Sequence, residues 1–418
     1  MASLAAAALA VSPKREGIVA GRWLRVLAML ALTGGLLLRT IPLLVWPELP
    51  LLTCDGLAYH SLAVSLGIGQ GLTISDPSVV AACGPIVELG PSHHFAPALA
   101  VVESWFISLM GDTTLALVLP VLLLSWLTVF VVWWATRNLF GSDAGLLVAA
   151  AVSLEWTGAL FGTWQGYSEN LVIITFTLTM WAILKALSDD RYLVLAGLFA
   201  GIGYLSKASI GWFFLLAGIG GLTWRLWFRG RAVLRNGWYL SAIAVFAVPF
   251  VVWSFRNLTL FWDGTPADLF DAWQTSEVQA RYVTYALQQP ALLLTGLVGK
   301  LPIMLIVFVL PFLPFLRDLG GSLRRLRDEE TSGLWLSVAL IFVLGWFFAG
   351  AFWVTEQTSL VWADPVRYLA PAQIPLLWLL VRDNNTTATW KWALSFLVLA
   401  ALTGIMWVLM IPGFPLAQ

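Results

Sequence analysis

One acidic residue, Asp55, stands where a long apolar segment gives way to a polar loop. The segment covers about residues 26–46, and the turn-like stretch 50–54 separates it from Asp55. A carboxylate at the water-facing mouth of a membrane bundle can act as a general base and take a proton from a hydroxyl group. Alternatively, Asp55 only caps a helix, because the apolar positions after it repeat with helical spacing. Asp55 is the candidate catalytic residue.

Three basic residues lie at the predicted outer ends of other apolar segments. They are Lys207, Arg256 and Arg367, and Tyr368 follows the last of them. Basic side chains at such positions commonly extend to the membrane interface and bind no ligand. Three that converge can instead bind a phosphate group through charged hydrogen bonds. The sequence therefore predicts a phosphate-binding set formed by these four residues.

Two adjacent histidines and one further acid are candidates for a metal or phosphate site. His93 and His94 are two of only three histidines in the chain, and Glu169 opens the apolar segment 170–187. Imidazole and carboxylate groups together can bind a divalent ion. The histidines can equally belong to an exposed polar loop, and Glu169 can simply stabilise a helix N-terminus. A divalent metal ion is therefore a possible cofactor.

The only two cysteines, Cys54 and Cys83, fall in the same predicted outer loop. A disulfide between them would tie the region of Asp55 to the loop that precedes His93. The alternative is a pair of free, buried thiols.

The composition identifies the class of protein. Of 418 residues, 60% are hydrophobic and only 11% are charged, whereas about 25% is usual in soluble domains. The net charge of zero suggests no nucleic-acid partner. We therefore expect an all-α, polytopic bundle of about eleven transmembrane helices in contact with membrane lipids.

The apolar windows that define these spans are separated by short polar linkers. They lie at about 26–46, 114–135, 144–160, 170–187, 193–206, 210–227, 239–255, 292–315, 334–353, 368–381 and 393–411. A shorter window, 97–110, is predicted to be an interfacial helix in the first outer loop. The first window has no small-residue cleavage motif after it, which indicates a retained helix.

Basic residues orient the predicted bundle. All but six of the 23 basic residues fall on one side, which predicts a cytoplasmic N-terminus by the positive-inside rule. The exceptions are Arg39, Lys207, Arg256, Arg281, Lys300 and Arg367. The predicted divisions are a cytoplasmic N-terminus (1–25), a catalytic membrane module (26–255, with outer loop 47–113), a second outer loop (256–291) and C-terminal membrane helices (292–418).

Several segments, in this order, resemble the GT-C superfamily of membrane glycosyltransferases. The resemblance is to the bacterial branch related to dolichyl-phosphate-mannose protein mannosyltransferases and lipid A aminoarabinose transferases. The segments are Asp55-Gly56-Leu57-Ala58-Tyr59, Ser168-Glu169, Leu205-Ser206-Lys207, Arg256-Asn257 and Arg367-Tyr368-Leu369-Ala370-Pro371-Ala372. Many relatives have a second acid directly after the first, where this chain has Gly56.

The resemblance implies transfer of a sugar from a polyprenyl-phosphate donor to a lipid, glycan or protein acceptor, with inversion at the anomeric carbon. It places the active site on the outer face of the cytoplasmic membrane of a prokaryote. Asp55 would activate the acceptor, and the cations would stabilise the departing phosphate. The competing function is a transporter or flippase of a lipid-linked sugar, which would place polar groups near the bilayer midplane. Only Arg39 and Glu155 appear in such positions.

Overall fold

The computed structural model is an assembly of α-helices with one two-stranded ribbon. It describes residues 20–83, 87, 89–93, 95–207, 220–262, 264–265, 269, 284–356, 367–382 and 388–410. The N-terminal helices and strands are α1 (Arg22–Val45), α2 (Cys54–Gly67), β1 (Thr73–Ile74), α3 (Pro77–Cys83), β2 (Gly90–Pro91), α4 (Pro97–Met110), α5 (Thr114–Phe140), α6 (Ser142–Ser153) and α7 (Trp156–Ala159).

The remaining helices complete the bundle. They are α8 (Glu169–Lys185), α9 (Tyr192–Ser206), α10 (220–229), α11 (Gly237–Phe261), α12 (284–288), α13 (Pro290–Val309), α14 (Leu316–Leu323), α15 (Glu329–Glu356), α16 (Gln373–Arg382) and α17 (Thr389–Met410). Strands β1 and β2 pair antiparallel, with Thr73 opposite Pro91. The all-α prediction is confirmed.

Every predicted apolar window overlaps a helix, and α4 has the bounds expected of the interfacial segment. Among the described residues, four helices are long and apolar enough to cross a membrane, namely α1, α5, α11 and most of α15. A fifth span results if α6 and the bent segment Thr157–Trp164 cross together. The chain is thus a multi-pass membrane protein, and the count of about eleven spans stays a prediction.

Half of the second predicted outer loop, 256–291, lies outside the described residues, as does all of 1–19.

Two glycines allow α9 and α11 to pack closely. A Cβ at Gly197 would lie 2.2 Å from the backbone oxygen of Ala242, and one at Gly201 would lie 2.5 Å from Pro249. Small residues four apart are a common means of bringing membrane helices together. The contact continues to the helix ends, where the Tyr204 hydroxyl hydrogen-bonds Ser254 at 2.9 Å.

The two intramembrane charges stabilise a break between α6 and α7. The fully buried Arg39 guanidinium donates to the backbone oxygens of Val152 and Ser153 at 2.7 and 2.9 Å. Glu155 accepts from the backbone N–H groups of Thr157 and Gly158, each at 2.7 Å. These contacts satisfy backbone groups that a helix end leaves without partners. Arg39 and Glu155 therefore have a structural role in the described fold.

The bundle has two chemically different ends. Helix α8 begins at Glu169 and ends at Lys185, and its 17 residues span about 26 Å. The end near Glu169 is here called the site end. The end near Lys185, here the basic end, carries ion pairs between helices, including Arg25–Asp143 (2.9 Å), Arg225–Asp190 (3.2 Å), Arg229–Glu329 (3.2 Å) and Lys391–Asp318 (2.6 Å).

Candidate active site

Asp55 lies in the first turn of α2 but does not cap it. The cap is Thr53, whose hydroxyl accepts from the Gly56 backbone N–H at 3.3 Å. The alternative that Asp55 only caps a helix is therefore wrong, and its carboxylate is available for another contact.

Gly56 is required by close backbone packing. A Cβ at this position would lie 1.8 Å from the Pro50 backbone oxygen and 2.6 Å from that of Gln165. No side chain fits without movement of the backbone. The same packing places the segment around Gln165 directly against α2.

Four charged side chains from distant parts of the chain form one continuous group. The Arg367 guanidinium donates to Asp55 from Nη1 to Oδ2 at 3.0 Å, and its Nε lies 3.7 Å from Glu169 Oε1. The Lys207 ammonium donates to the same Glu169 oxygen. Two carboxylates and two cations make the group formally neutral. It is called the charged quartet below.

Exposure differs within the charged quartet. The Glu169 side chain is 3% exposed, whereas that of Asp55 is 25% exposed. Lys207 is largely buried, and burial followed by the nearby Arg367 charge lowers the pKa of its ammonium group. Asp55 is therefore the most exposed member of the charged quartet.

Three tyrosines surround the charged quartet. The Tyr368 ring lies 5.1 Å from Lys207 Nζ and 5.4 Å from the Arg367 guanidinium carbon. That same carbon lies 5.1 Å from the Tyr167 ring. Such cation–π contacts hold a cation without neutralising it. Sequence reasoning missed Tyr167, although its place two residues before Glu169 was an available signal.

Tyr59 connects α2 to the segment that carries Glu169. Its hydroxyl donates to Ser168 at 3.2 Å, and burial raises its pKa, so the phenol stays neutral. The contact fixes the start of α2 relative to the start of α8. It thereby positions Asp55 relative to Glu169.

Arg256 belongs to a neighbouring group rather than to the charged quartet. Its Nη1 donates to the backbone oxygen of Ser92 and, at 2.8 Å, to Asn257 Oδ1. Its guanidinium carbon lies 5.0 Å from the Trp253 ring. Within the part of the chain that the structure describes, its hydrogen-bond acceptors are carbonyl oxygens and no carboxylate. Arg256 therefore keeps its positive charge uncompensated there.

The histidine pair does not meet Glu169 in the described contacts. The His93 ring lies 4.5 Å from that of Phe261, and its backbone oxygen accepts from Asn257 at 3.4 Å. His94 lies outside the described residues. Among the residues that the structure describes, no three acidic, histidine or cysteine side chains lie close enough together to hold a metal ion. Metal binding stays a prediction.

Cys54 and Cys83 are joined by a disulfide in the structure, with their Cα atoms 4.9 Å apart. The bond connects α3 to the first turn of α2, next to Asp55. It restrains the loop that lies beside the candidate site.

Part of the sequence matches a known protein family. Residues 94–255 match the family described as dolichyl-phosphate-mannose-protein mannosyltransferase. That region contains Glu169 and Lys207 but neither Asp55 nor Arg367. No curated protein sequence matches the chain.

Solved structures of two kinds are similar to this fold. The Archaeoglobus fulgidus oligosaccharyltransferase, in complex with zinc and sulfate, has a TM-score of 0.50 at 14% identity, covering 90% of this chain and 53% of that one. ArnT from Cupriavidus metallidurans bound to undecaprenyl phosphate has a TM-score of 0.49 at 15% identity, covering 91% and 66%. Its apo form has a TM-score of 0.42 at 17% identity, covering 84% and 56%.

The chain spans between about half and two thirds of the length of these solved proteins. The family match covers less than half of the sequence, and the archaeal structure shares the fold over most of it. These findings confirm the resemblance drawn from the motifs, and the chain is similar to the GT-C superfamily of membrane glycosyltransferases.

Proposed function

We propose that this protein transfers a sugar from a polyprenyl-phosphate donor to a hydroxyl-bearing lipid, glycan or protein acceptor. The observation that carries the proposal is the charged quartet, which joins a partly exposed carboxylate to buried cations at one end of a membrane bundle. A glycosyl transfer needs both kinds of group, because a hydroxyl is a poor nucleophile and a phosphate leaves with negative charge. The undecaprenyl phosphate bound to ArnT agrees with this donor class.

The proposed reaction is a direct displacement at the anomeric carbon. Asp55 takes the proton of the acceptor hydroxyl while the hydroxyl oxygen attacks the anomeric carbon. The bond from that carbon to the phosphate oxygen breaks, and the polyprenyl phosphate leaves with the electron pair. Attack opposite the leaving group inverts the configuration. Arg256, Lys207 and Arg367 stabilise the charge on the phosphate, and Tyr368 supports the last two.

The charged quartet has no net charge, and this gives the donor a second role besides supplying the sugar. Arg367 is bound to Asp55 before substrate arrives. A phosphate oxygen that binds Arg367 competes with Asp55 for the same N–H groups. A carboxylate that gives up this hydrogen bond has an oxygen free to accept one from the acceptor hydroxyl. Donor binding therefore prepares Asp55 to accept a proton, and we expect the donor to bind before the acceptor.

The site is proposed to face outward from the cytoplasmic membrane of a prokaryote. The basic end would then lie in the cytoplasm, as the positive-inside rule requires. The disulfide beside Asp55 supports this orientation, because disulfides persist in oxidising compartments outside the cytoplasm.

Thiol labelling in intact cells tests the orientation. The chain has two cysteines, and both are in the disulfide, so an introduced cysteine supplies a unique free thiol. We expect cysteines placed at Arg235 and Arg324, both exposed at the basic end, to resist a membrane-impermeant maleimide until the cells are permeabilised. A cysteine at Asp112, in the first outer loop, should react at once. Labelling of the basic end in intact cells would reverse the proposed topology.

A donor assay tests the reaction itself. Purified protein in liposomes would be supplied with defined polyprenyl-phosphate sugars, and free polyprenyl phosphate would be measured. We expect release from at least one donor and loss of release in Asp55→Asn. Movement of intact donor between leaflets without cleavage would instead establish the flippase alternative. The structural contacts of Arg39 and Glu155 support the enzyme over the flippase, because these two residues are the intramembrane polar groups expected from the sequence.

A further inference from the structure

A cavity of about 370 Å³ lies inside the bundle, away from Asp55. It runs between α8, α9, α10, α11 and α15, and its walls are almost entirely apolar. Along α8 it extends from Phe176 to Ile183, which is about 10 Å. Ile183 is two residues from the basic end of that helix, so the cavity occupies the half of the bundle nearer the basic end.

One residue of the cavity wall also faces the outside of the described bundle. Ile243 of α11 lines the cavity and is 55% exposed. At this depth the outside of a membrane bundle is covered by the acyl chains of lipids. A phospholipid of the leaflet at the basic end is therefore the nearest source of an apolar occupant for the cavity.

The boundary of the cavity that lies nearest the basic end is polar and basic. Arg225 lines it, is 2% exposed and has its guanidinium carbon 5.5 Å from the Tyr239 ring. The Trp224 Nε1 atom is buried and has no hydrogen-bond partner among the described residues. Trp224 also lines the cavity and is 9% exposed. A buried donor without a partner is costly unless a ligand or water supplies the acceptor.

The segment 225–235 around this boundary carries a charge pattern suited to an anionic headgroup. It contains four arginines (225, 229, 231 and 235) and no acid. Arg225 and Arg229 pair with Asp190 and Glu329 of neighbouring segments, whereas Arg235 is exposed. Trp227 and Trp238 beside it are 85% and 44% exposed, as is common for tryptophans at a membrane interface. Each basic residue near an anionic lipid surface strengthens binding roughly fivefold.

From these observations we infer that the cavity binds one acyl chain of an anionic phospholipid from the leaflet at the basic end. The headgroup phosphate then lies beside the exposed Arg235. The ring of Tyr368 closes the other end of the cavity, and both Lys207 and Arg367 lie over that ring. This ring separates the cavity from the charged quartet. The bound acyl chain therefore packs against Tyr368, the residue that positions two cations of the charged quartet.

Titration of the full-length, delipidated protein tests the inference without any transfer assay. The probes are phosphatidylglycerol and phosphatidylcholine with identical acyl chains, and bound lipid is counted by native mass spectrometry. We expect phosphatidylglycerol to bind at least about tenfold more tightly. Equal binding of the two lipids would overturn the anionic site.

Substitutions locate the lipid. Ser337→Trp fills the cavity from α15 and should abolish tight binding, whereas Val343→Trp, on a 60% exposed and lipid-facing position of the same helix, should not. Arg235→Gln should weaken phosphatidylglycerol binding although it leaves the shape of the cavity unchanged. Arg191→Gln makes an equal charge change at the same end and should leave phosphatidylglycerol affinity unaltered. Retained binding in both Ser337→Trp and Arg235→Gln would exclude this cavity. Displacement of phosphatidylglycerol by a polyprenyl phosphate would assign the cavity to the donor tail instead and would also overturn the inference.

Discussion

Replacement of Asp55 by asparagine is expected to lower the rate of sugar transfer at least about a hundredfold, within the usual effect of removing a positioned general base. Asparagine preserves the shape of the side chain and an oxygen that can accept from Arg367. It cannot take the acceptor proton at a useful rate. Because Thr53 rather than Asp55 caps α2, the variant should fold normally. The measurement is kcat and KM for transfer with a defined polyprenyl-phosphate sugar.

A matched control separates chemistry from a general loss of charge. Asp112 also lies near the first outer loop, its side chain is 58% exposed, and it pairs with His60 at 3.1 Å. Asp112→Asn makes the same chemical change away from the charged quartet and should leave transfer within a factor of about two. Donor binding, measured separately, should survive in both variants. Near-normal turnover by Asp55→Asn would mean that Asp55 is not the base.

The second large effect is expected at Arg256. Loss of a hydrogen bond to a charged group costs about 1.5–3 kcal/mol, which is roughly a ten- to two-hundredfold loss of donor affinity. Arg256→Met removes the charge and retains much of the apolar stem against Trp253. Donor binding to the purified variant is the measurement. The prediction follows from the uncompensated charge of Arg256 among the described residues.

Arg256 also holds the backbone of Ser92, so a second variant is needed. Arg256→Gln loses the charge but can still donate to the Ser92 oxygen. If the charge of Arg256 binds the donor, Arg256→Gln and Arg256→Met should lower donor affinity equally. Arg256→Lys, which keeps a positive charge, should retain part of that affinity. Recovery of normal affinity by glutamine would show that Arg256 only anchors the first loop.

Lys207 should behave differently because its partner is buried. Removing one member of a buried ion pair leaves an uncompensated charge and commonly costs about 3–5 kcal/mol. Lys207→Met should therefore lower the thermal stability as well as donor affinity, and Glu169→Gln in the same chain should restore stability but not affinity. This contrast with Arg256 is measurable by melting each variant in detergent.

The sequence by itself determined the helical elements. Long apolar windows require helices, because only internal hydrogen bonding satisfies a backbone in lipid. The bounds of α4 agree with its window, and Thr53, Thr113 and Asn236 occupy the caps expected of such residues. The sequence likewise indicated that most basic residues lie at the end of the bundle away from Asp55, because they fall in the linkers on one side of the apolar windows. The motif resemblance to the GT-C superfamily was available at the same level and was confirmed.

The tertiary structure decided which cation meets which acid. Arg367 and Asp55 are 312 residues apart, and no local pattern predicts their contact. The sequence grouped Arg256 with Lys207 and Arg367 because all three lie at predicted outer ends. Packing separates them, since α11 directs Arg256 to the first loop while the segments before α8 and α16 bring Glu169 and Arg367 to Lys207. Charge compensation depends on distances of a few ångströms, and helical periodicity carries no information about distances between helices.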